Sequence, residues 1–294
     1  MVNQTRGDRM VEWVILFLLS LVLIIVIYPL LYVLSASVSD PLAILKGEVW
    51  LWPKGFNLDA YVKVFRNDDI LRGYINTFVY TIVGTGINLV MTTIAAYPLS
   101  RKDFYGRNFF NAAIVFTMFF SGGMVPMYLL INNLHLLNTI WAVVLPGAIS
   151  VWNMVIMRTY FQTSIPFEIQ ESALIDGCNN LQILMRIVLP LSAPIMAVMT
   201  LFYAVGHWNA FYNALIYLSD RDKFPLQIIL REILIQNQMN EMASVLDDTL
   251  VQYMMDVEAL KYAVVIVANL PVFILYPFLQ KYFVKGVMIG ALKG

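Results

Sequence analysis

Five stretches of the chain contain no Asp, Glu, Lys or Arg, and each is long enough for at least one membrane-spanning helix. They cover residues 13–39, 73–100, 108–157, 187–219 and 262–280. A helix needs about 20 apolar residues to cross a bilayer, and the third stretch has room for two crossings on either side of the polar segment INNLHLLNT. The sequence therefore predicts an all-α membrane protein with six transmembrane helices, at approximately 12–35, 74–98, 109–131, 140–161, 190–217 and 260–283.

The composition excludes an ordinary soluble domain. Of the 294 residues, 60% are hydrophobic and 13% are charged, whereas soluble domains are about 45–50% apolar and about 25% charged. The first apolar run is longer than the hydrophobic region of a signal peptide. A small-residue cleavage site can be drawn in VLSASVSDPL, but the length of the run favours an uncleaved first span.

The basic residues indicate which loops are cytoplasmic, because short loops rich in Lys and Arg stay on that side. The short loop SRKDFYGRN is the clearest such signal. Placing it inside makes both termini and residues 162–189 cytoplasmic. The inner segments then hold ten basic residues, namely Arg6, Arg9, Arg101, Lys102, Arg107, Arg158, Arg186, Lys281, Lys285 and Lys293.

A polar, helix-forming segment at 164–190 separates two of the apolar stretches. Ser164 is a candidate N-cap, and Pro166 suits a first helical turn. Gly177 is expected to end this helix, because glycine adopts a positive φ without steric cost. The segment therefore predicts a first helix that stops at a glycine turn.

A second helix is predicted after the turn, with Asn179 or Asn180 as its cap. Its apolar residues have the spacing of a one-sided helical face, and they are Leu181, Leu184, Met185 and Val188. Two interpretations of this helix–turn–helix are open from the pattern alone. It is either a connector at the membrane surface or a docking element for a cytoplasmic partner.

The sequence ESALIDG, followed by ILMRIVLP, resembles the EAA loop of binding-protein-dependent ABC importer permeases. That loop has the pattern E-A-A-x-x-x-G, nine intervening residues, and I-x-L-P. Ser172 replaces an Ala of the pattern, one small residue for another. The matching positions are Glu171, Ser172, Ala173, Gly177, Ile187, Leu189 and Pro190.

Three further segments resemble the carbohydrate branch of this family: LWPKGFNLDAYVKVF, GHWNAFYNALIYL and YFVKGVMIGALKG. The resemblance covers nearly the whole chain and is strongest to the second permease of maltose-type oligosaccharide importers. It implies a type I ABC importer permease in the bacterial cytoplasmic membrane. The substrate implied is a sugar, with oligosaccharides favoured and another solute class as the alternative.

In the family, the EAA loop forms a coupling helix that seats on a separate ATPase. The resemblance thus implies an ATPase-coupling set of Glu171, Ser172, Ala173, Asp176, Gly177 and Lys293. It also implies two ATPase subunits that bind ATP and Mg, with no cofactor in this chain. The other implied partners are a second, homologous permease in a heterodimer, an extracytoplasmic sugar-binding protein and the lipid bilayer, with no nucleic acid. The sequence has no phosphate loop of the form G-x-x-x-x-G-K-[ST].

Residues inside the spans are candidates for lining the substrate pathway. Trp208 and Asn209 in the fifth span can stack on and hydrogen-bond a sugar ring, and Asn153 in the fourth span is similar. The alternative is helix packing, in which Asn and Trp are common. Broken helices often mark gates in transporters, and the break SGGMVP predicts a hinge at Gly122, Gly123 and Pro126.

The sequence fits two other classes of function, a secondary transporter and a membrane enzyme, less well than it fits an importer. An ion-coupled secondary transporter usually carries ionisable groups inside its spans, and the interiors of these spans carry no Asp, Glu, Lys or Arg. A membrane enzyme needs acid–base or metal ligands near the interface. His207 has no second ligand in the spans, and a lone Cys178 forms no metal site.

The expected organisation has three parts. Residues 1–72 form the first span and the first extracytoplasmic loop. Residues 73–283 form a five-helix permease core, which contains the coupling loop at 164–190 and an acidic extracytoplasmic loop at 219–259. That second loop is the expected contact for the sugar-binding protein. Residues 284–294 form a cytoplasmic tail.

Overall fold

The computed structural model describes residues 6–242 and 257–277, and the regular elements in those two ranges are all helical. This confirms the predicted all-α class. The helices are α1 (Arg6–Ser37), α2 (Pro41–Leu45), α3 (Asp59–Arg66), α4 (Asp68–Ser100), α5 (Arg107–Phe119), α6 (Met124–Asn133), α7 (Ile140–Val144), α8 (Val151–Ser164), α9 (Phe167–Ile175), α10 (Asn180–Leu191), α11 (Ala193–Trp208), α12 (Tyr212–Tyr217), α13 (Leu226–Met242) and α14 (Val257–Pro277).

Three helices are unbroken and long and apolar enough to cross a membrane. They are α1, α4 and α14, and they overlap the first, second and sixth predicted spans. The third predicted span is bent, with α5 and α6 meeting at 109°, and the fifth, predicted over 190–217, starts at an 83° bend between α10 and α11 and is interrupted between Trp208 and Tyr212. If each bent pair is one span, the described part of the chain has up to five crossings.

The fourth predicted span is not a single helix, so a continuous helix over 140–161 was wrong. Helix α7 ends at Val144 and α8 begins at Val151. Ser150 caps α8 by accepting a hydrogen bond from the backbone N–H of Asn153 at 3.4 Å. A break inside a membrane leaves backbone groups that need partners from neighbouring helices.

The contacts divide the chain into two compact units. The described residues up to Leu71 form one unit with those between Ile229 and Leu270. In this unit, the chain after α1 folds back through buried serines: the Oγ of Ser35 donates to the carbonyl of Leu51 at 2.6 Å, and Ser39 Oγ accepts from the N–H of Lys54 at 3.1 Å. These bonds fix the loop between α2 and α3.

The second unit extends from Arg72 to Ile228 and includes the described residues from Pro271 onward. Its largest core packs α4, α8, α9, α10 and α11 together. Small residues, Ala96 of α4 and Ala173 of α9, are buried in that core. The largest fully buried side chains in it are Met154, Met157, Phe161, Ile183, Val188 and Met199. This core holds α9 and α10 against the last turns of α4.

The segment between α12 and α13 is tied to the first turns of α4. The side-chain amide of Asn76 donates to the carbonyls of Asp222 at 2.8 Å and Phe224 at 3.0 Å, and Arg72 forms an ion pair with Asp222. Thr77 Oγ1 accepts a hydrogen bond from the N–H of Leu226 at 2.8 Å. This anchored segment begins the predicted loop at 219–259, of which residues 243–256 lie outside the described residues.

Candidate functional site

Helix α9 ends in a hydrogen-bonded turn centred on Gly177. The N–H of Gly177 donates to the carbonyl of Leu174 at 3.0 Å, and the N–H of Cys178 donates to the carbonyl of Ala173 at 2.9 Å. These two bonds form a Schellman motif, which requires a left-handed residue at its centre. Gly177 has φ +82°, as the sequence predicts. The turn is therefore closed by the backbone itself.

Helix α10 begins with a reciprocal cap. The side chain of Asn179 accepts from the N–H of Gln182 at 2.9 Å, and the side chain of Gln182 accepts from the N–H of Asn179 at 2.8 Å. This capping box satisfies two backbone donors that a helix start leaves free. The expectation that Ser164 caps the first helix was wrong. Ser164 is the last residue of α8, and Pro166 occupies the cap position of α9.

The predicted apolar face of the second helix was half wrong. Leu184 and Val188 are buried, but Leu181 is 67% exposed and Met185 is 58% exposed. Leu181 lies in the first α-helical turn, and a π-helical turn at Leu184–Val188 shifts the buried face after it. Hydrogen bonds in such a turn join residues five apart, so Ile183 and Val188 face the core together, and both are fully buried.

Helix α9 buries one face and exposes the other. Of the predicted coupling residues, Ala173 is buried in the core, whereas Glu171, Ser172 and Asp176 are exposed. The sequence reasoning missed Ile175, an apolar residue that is 87% exposed next to the turn. The signal was available, because an inward Ala173 turns the residue two positions later outward on a helix. The exposed face therefore combines carboxylates with an apolar tip.

A buried arginine connects α9 to the end of α4, and the sequence reasoning missed this role. Arg101, only 6% exposed, donates through Nε and Nη2 to the two carboxylate oxygens of Asp103 at 2.8 and 2.7 Å. Its Nη1 donates to the hydroxyl of Tyr97 at 3.1 Å and to Oε1 of Gln170 at 3.4 Å. The hydrogen bond with Asp103 raises the pKa of Arg101, and the same bond lowers the pKa of Asp103.

Two of the three predicted pathway residues lie together, and the third lies on another helix. Trp208 is 3% exposed and packs edge-on against Tyr74 and Phe78 of α4, with ring centroids 5.5 and 5.0 Å away. Asn209 is exposed and donates to the carbonyl of Val205 at 2.9 Å. Asn153 is buried in the first turn of α8. Within this chain, Trp208 is thus a packing residue.

A polar cluster fills the break between α7 and α8. The side-chain amide of Asn88, on α4, donates to the carbonyl of Gly147 at 2.5 Å, and its oxygen lies 2.6 Å from Nε2 of His207 on α11. The ring of His207 lies against Gly84, where an added Cβ would come well inside van der Waals distance of the imidazole. Asn88 thus supplies a partner to the broken helix and joins α4 to α11.

A second bridge completes this cluster. The hydroxyl of Tyr203 accepts from the N–H of Ser150 at 3.3 Å and lies 2.7 Å from Oγ1 of Thr92. Thr92 and Tyr203 are both buried. The sequence reasoning did not select these residues. The available signal was the spacing of Thr85, Asn88 and Thr92, which places three polar side chains on one face of an otherwise apolar helix.

The predicted hinge residues lie at the bend between α5 and α6. Gly123 has φ +86° and precedes the first turn of α6, which contains Pro126. Gly122, Gly123 and Pro126 are all exposed. Lys293 and the tail at 284–294 lie outside the described residues, so the expected second contact with the ATPase is not placed.

The fold and the site define a multi-pass helical membrane protein that exposes a capped helix–turn–helix. The chain belongs to the family described as "Binding-protein-dependent transport system inner membrane component", which it matches over residues 1–289. It is thus a transporter permease by family and not an enzyme.

Relatives and a solved structure agree with the family. Protein LplC of Bacillus subtilis (strain 168) is 40% identical over 292 residues, which cover 99% of this chain and 98% of LplC. The polygalacturonan/rhamnogalacturonan transport system permease protein YtcP of the same organism is 39% identical, covering 98% of this chain and 99% of YtcP. A crystal structure of a bacterial ABC transporter involved in the import of the acidic polysaccharide alginate contains a similar chain, with TM-score 0.85, 31% identity, and coverage of 96% of this chain and 100% of that one.

Proposed function

We propose that this chain is the transmembrane permease subunit of an ATP-driven, binding-protein-dependent oligosaccharide importer. It moves its substrate by alternating access, and a separate subunit hydrolyses ATP. The observation that carries this proposal is the exposed face of α9, held by the closed turn at Gly177. A short rigid helix with an apolar tip fits a cleft on a partner, whereas a simple surface connector needs neither feature.

The substrate class proposed is oligosaccharide fragments of plant or algal polysaccharides. Two similar proteins support this proposal. The relative YtcP is named as a permease for polygalacturonan or rhamnogalacturonan, and the similar solved chain belongs to a transporter involved in alginate import. A permease for another solute class in the same superfamily is the second candidate. Proton coupling usually needs ionisable groups inside the spans. The five charge-free stretches provide no Asp, Glu, Lys or Arg for that purpose, which disfavours proton coupling as the energy source.

The proposed assembly places both termini and α9 in the cytoplasm. Two ATPase subunits bind ATP and Mg, and a second permease pairs with this chain as a heterodimer. A sugar-binding protein meets the loop at 219–259. The exposed residues Glu171, Ser172 and Asp176 contact the ATPase, whereas buried Ala173 contributes by seating α9 on the core.

The pathway and hinge roles remain proposals as well. Exposed Asn209 is proposed to meet the sugar directly, and Asn153 to do so from the start of α8. Trp208 is proposed to support this region from its buried position beside α4. The bend at Gly123 is the proposed hinge.

Co-purification tests the proposal with a matched pair of charge reversals. Glu171→Lys changes the exposed face of α9, and Glu48→Lys makes the same change in the predicted extracytoplasmic loop. Each tagged chain is extracted in mild detergent, and its partners are identified by mass spectrometry. We expect an ATPase and a second permease with the wild type and with Glu48→Lys, and loss of the ATPase with Glu171→Lys. Recovery of the chain alone or as a homodimer in every case would contradict the importer function.

A further inference from the structure

The last turn of α4 and the loop after it contact α9 through two basic side chains. Besides the bond between Arg101 and Gln170, the ammonium of Lys102 lies 5.7 Å from the ring centroid of Phe167, at the start of α9. Between these two contacts and the turn, Ala173 is buried in the same core as Tyr97. Helix α9 is therefore seated along its length on the end of α4.

The contact between Arg101 and Gln170 is both polar and buried, because each of the two side chains is only 6% exposed. A buried guanidinium needs partners for its N–H groups. Asp103 binds one edge of the guanidinium, and Tyr97 and Gln170 share Nη1. Asp103 and Tyr97 lie within a few residues of Arg101 in the chain. Gln170 is the hydrogen-bond acceptor of Arg101 that lies on α9.

We propose that Arg101 and Gln170 are positioning residues that fasten α9 to the end of α4, so that movement of α9 is carried directly into α4. This inference rests on the proposed function, in which α9 receives movement from an ATPase. Without the fastening, movement would pass through the chain connections to α8 and α10, through the apolar packing of Ala173 and through the contact of Lys102 with Phe167, with no buried polar bond between α9 and the end of α4.

Helix α4 also contacts other membrane helices, at positions nearer its middle than the contact with α9. The helix is unbroken from Asp68 to Ser100, so a displacement at its end is carried along its length. About two to three turns before that end, Asn88 and Thr92 contact the break between α7 and α8 and helix α11. Fastening α9 to α4 therefore links the ATPase contact to the polar cluster inside the membrane.

The test compares the same substitution at two glutamines that both bond to the end of α4. Gln170→Leu removes the acceptor for Arg101 on α9. Gln162→Leu is the matched control, because the amide of Gln162 donates to the carbonyl of Leu99 from α8, at 3.4 Å. Gln170→Glu keeps an acceptor at the same place and adds a charge that Arg101 attracts.

Each variant is reconstituted in proteoliposomes as the full transporter, with its ATPase, second permease and binding protein. The readouts are recovery of the assembled complex, ATP hydrolysis, and labelled oligogalacturonide transported per ATP hydrolysed. We expect Gln170→Leu to assemble and hydrolyse ATP but to transport about tenfold less substrate per ATP, a loss within the range of measured coupling between sites. Gln162→Leu and Gln170→Glu are expected to keep the wild-type ratio within about twofold.

The outcomes separate this inference from the function on which it rests. If the wild type transports substrate with ATP and Gln170→Leu keeps the wild-type ratio, the positioning role is wrong and the proposed function stands. Equal loss with both leucine variants also overturns the positioning role, because the effect is then general. No ATP-driven transport by the wild type would overturn the function and this inference together. If Gln170→Leu does not assemble, Arg101→Lys is used, which keeps the charge but not the planar fork, and the same tenfold loss is expected.

Discussion

The turn at Gly177 gives a prediction whose size follows from the structure. Nothing lies within 4 Å of a Cβ added at this position, so Gly177→Ala brings no clash. Its cost is conformational, because a left-handed backbone costs an L-residue about 1–2 kcal/mol. A destabilisation of that size changes the ratio of closed to open turn by about 5- to 30-fold.

Amide hydrogen exchange measures this opening directly. The N–H of Cys178 is bonded across the turn to the carbonyl of Ala173, so it exchanges when the turn opens. We expect Gly177→Ala to exchange about 5- to 30-fold faster at Cys178. Gly177→Asn is expected to lie between Ala and the wild type, because Asn tolerates the left-handed region better. Gly177→Pro removes the donor to Leu174 and fixes φ near −65°, so it is expected to open the turn and uncouple transport while the chain still inserts.

A second glycine supplies the control for this series. Gly86, on α4, also has nothing within 4 Å of an added Cβ, and its φ is not in the left-handed region. Gly86→Ala is therefore expected to leave exchange at Cys178 unchanged. Equal exchange in wild type and Gly177→Ala would refute the reasoning, since it would mean that backbone strain does not control the turn.

Three further predictions concern the spans and the arginine. Asn88→Leu removes the hydrogen bonds to the carbonyl of Gly147, an exposed residue, and to half-buried His207, at about 0.5–1.5 kcal/mol each, and is expected to lower the thermal unfolding midpoint in detergent; an unchanged midpoint would count against the polar cluster. Trp208→Ala empties a buried site, at about 3–5 kcal/mol, so it should reduce assembled complex and transport together, whereas Asn209→Ala should reduce transport alone; the reverse pattern would contradict the assigned roles. The pKa of Asp103 is lowered by Arg101, so this carboxylate stabilises the fold above its unfolded pKa and loses that effect as the pH falls through its lower folded value. With the pKa of Arg101 raised, transport per ATP should be constant between about pH 5 and pH 9, and a change centred inside that range would exclude this pair as the titrating group.

Features set by local sequence were predictable, and features set by distant partners were not. The apolar runs predicted α1, α4 and α14, and Gly177 predicted its turn. Both signals are local, because they depend on the hydrophobicity or the backbone freedom of the residues in the segment itself. The break between α7 and α8 was missed because its partners, Asn88 and Tyr203, lie on other helices. A continuous apolar run hides such a break, since nothing in the run itself requires it.

The same distinction explains the misjudged residues of the site. Arg101 was counted only as a basic residue at a span end, because burial against Gln170 depends on the packing of α9. The apolar stripe of α10 was placed by a regular helical period, and the π turn at Leu184–Val188 changes that period. Trp208 is a pathway candidate from its residue type, and its edge-on packing against Tyr74 and Phe78 could not be predicted because those rings lie on another helix.

The close approach of His207 to Gly84 has a consequence for how this sequence can diverge. The imidazole occupies the space that a Cβ at position 84 would need, although 123 residues separate the two positions in the chain. A methyl group gained at position 84 displaces the ring of His207 or requires a smaller side chain at 207, and either change disturbs the hydrogen bond to Asn88. Positions 84, 88 and 207 are therefore expected to change together among descendants of this gene, and the order of substitutions decides which sequences can be reached.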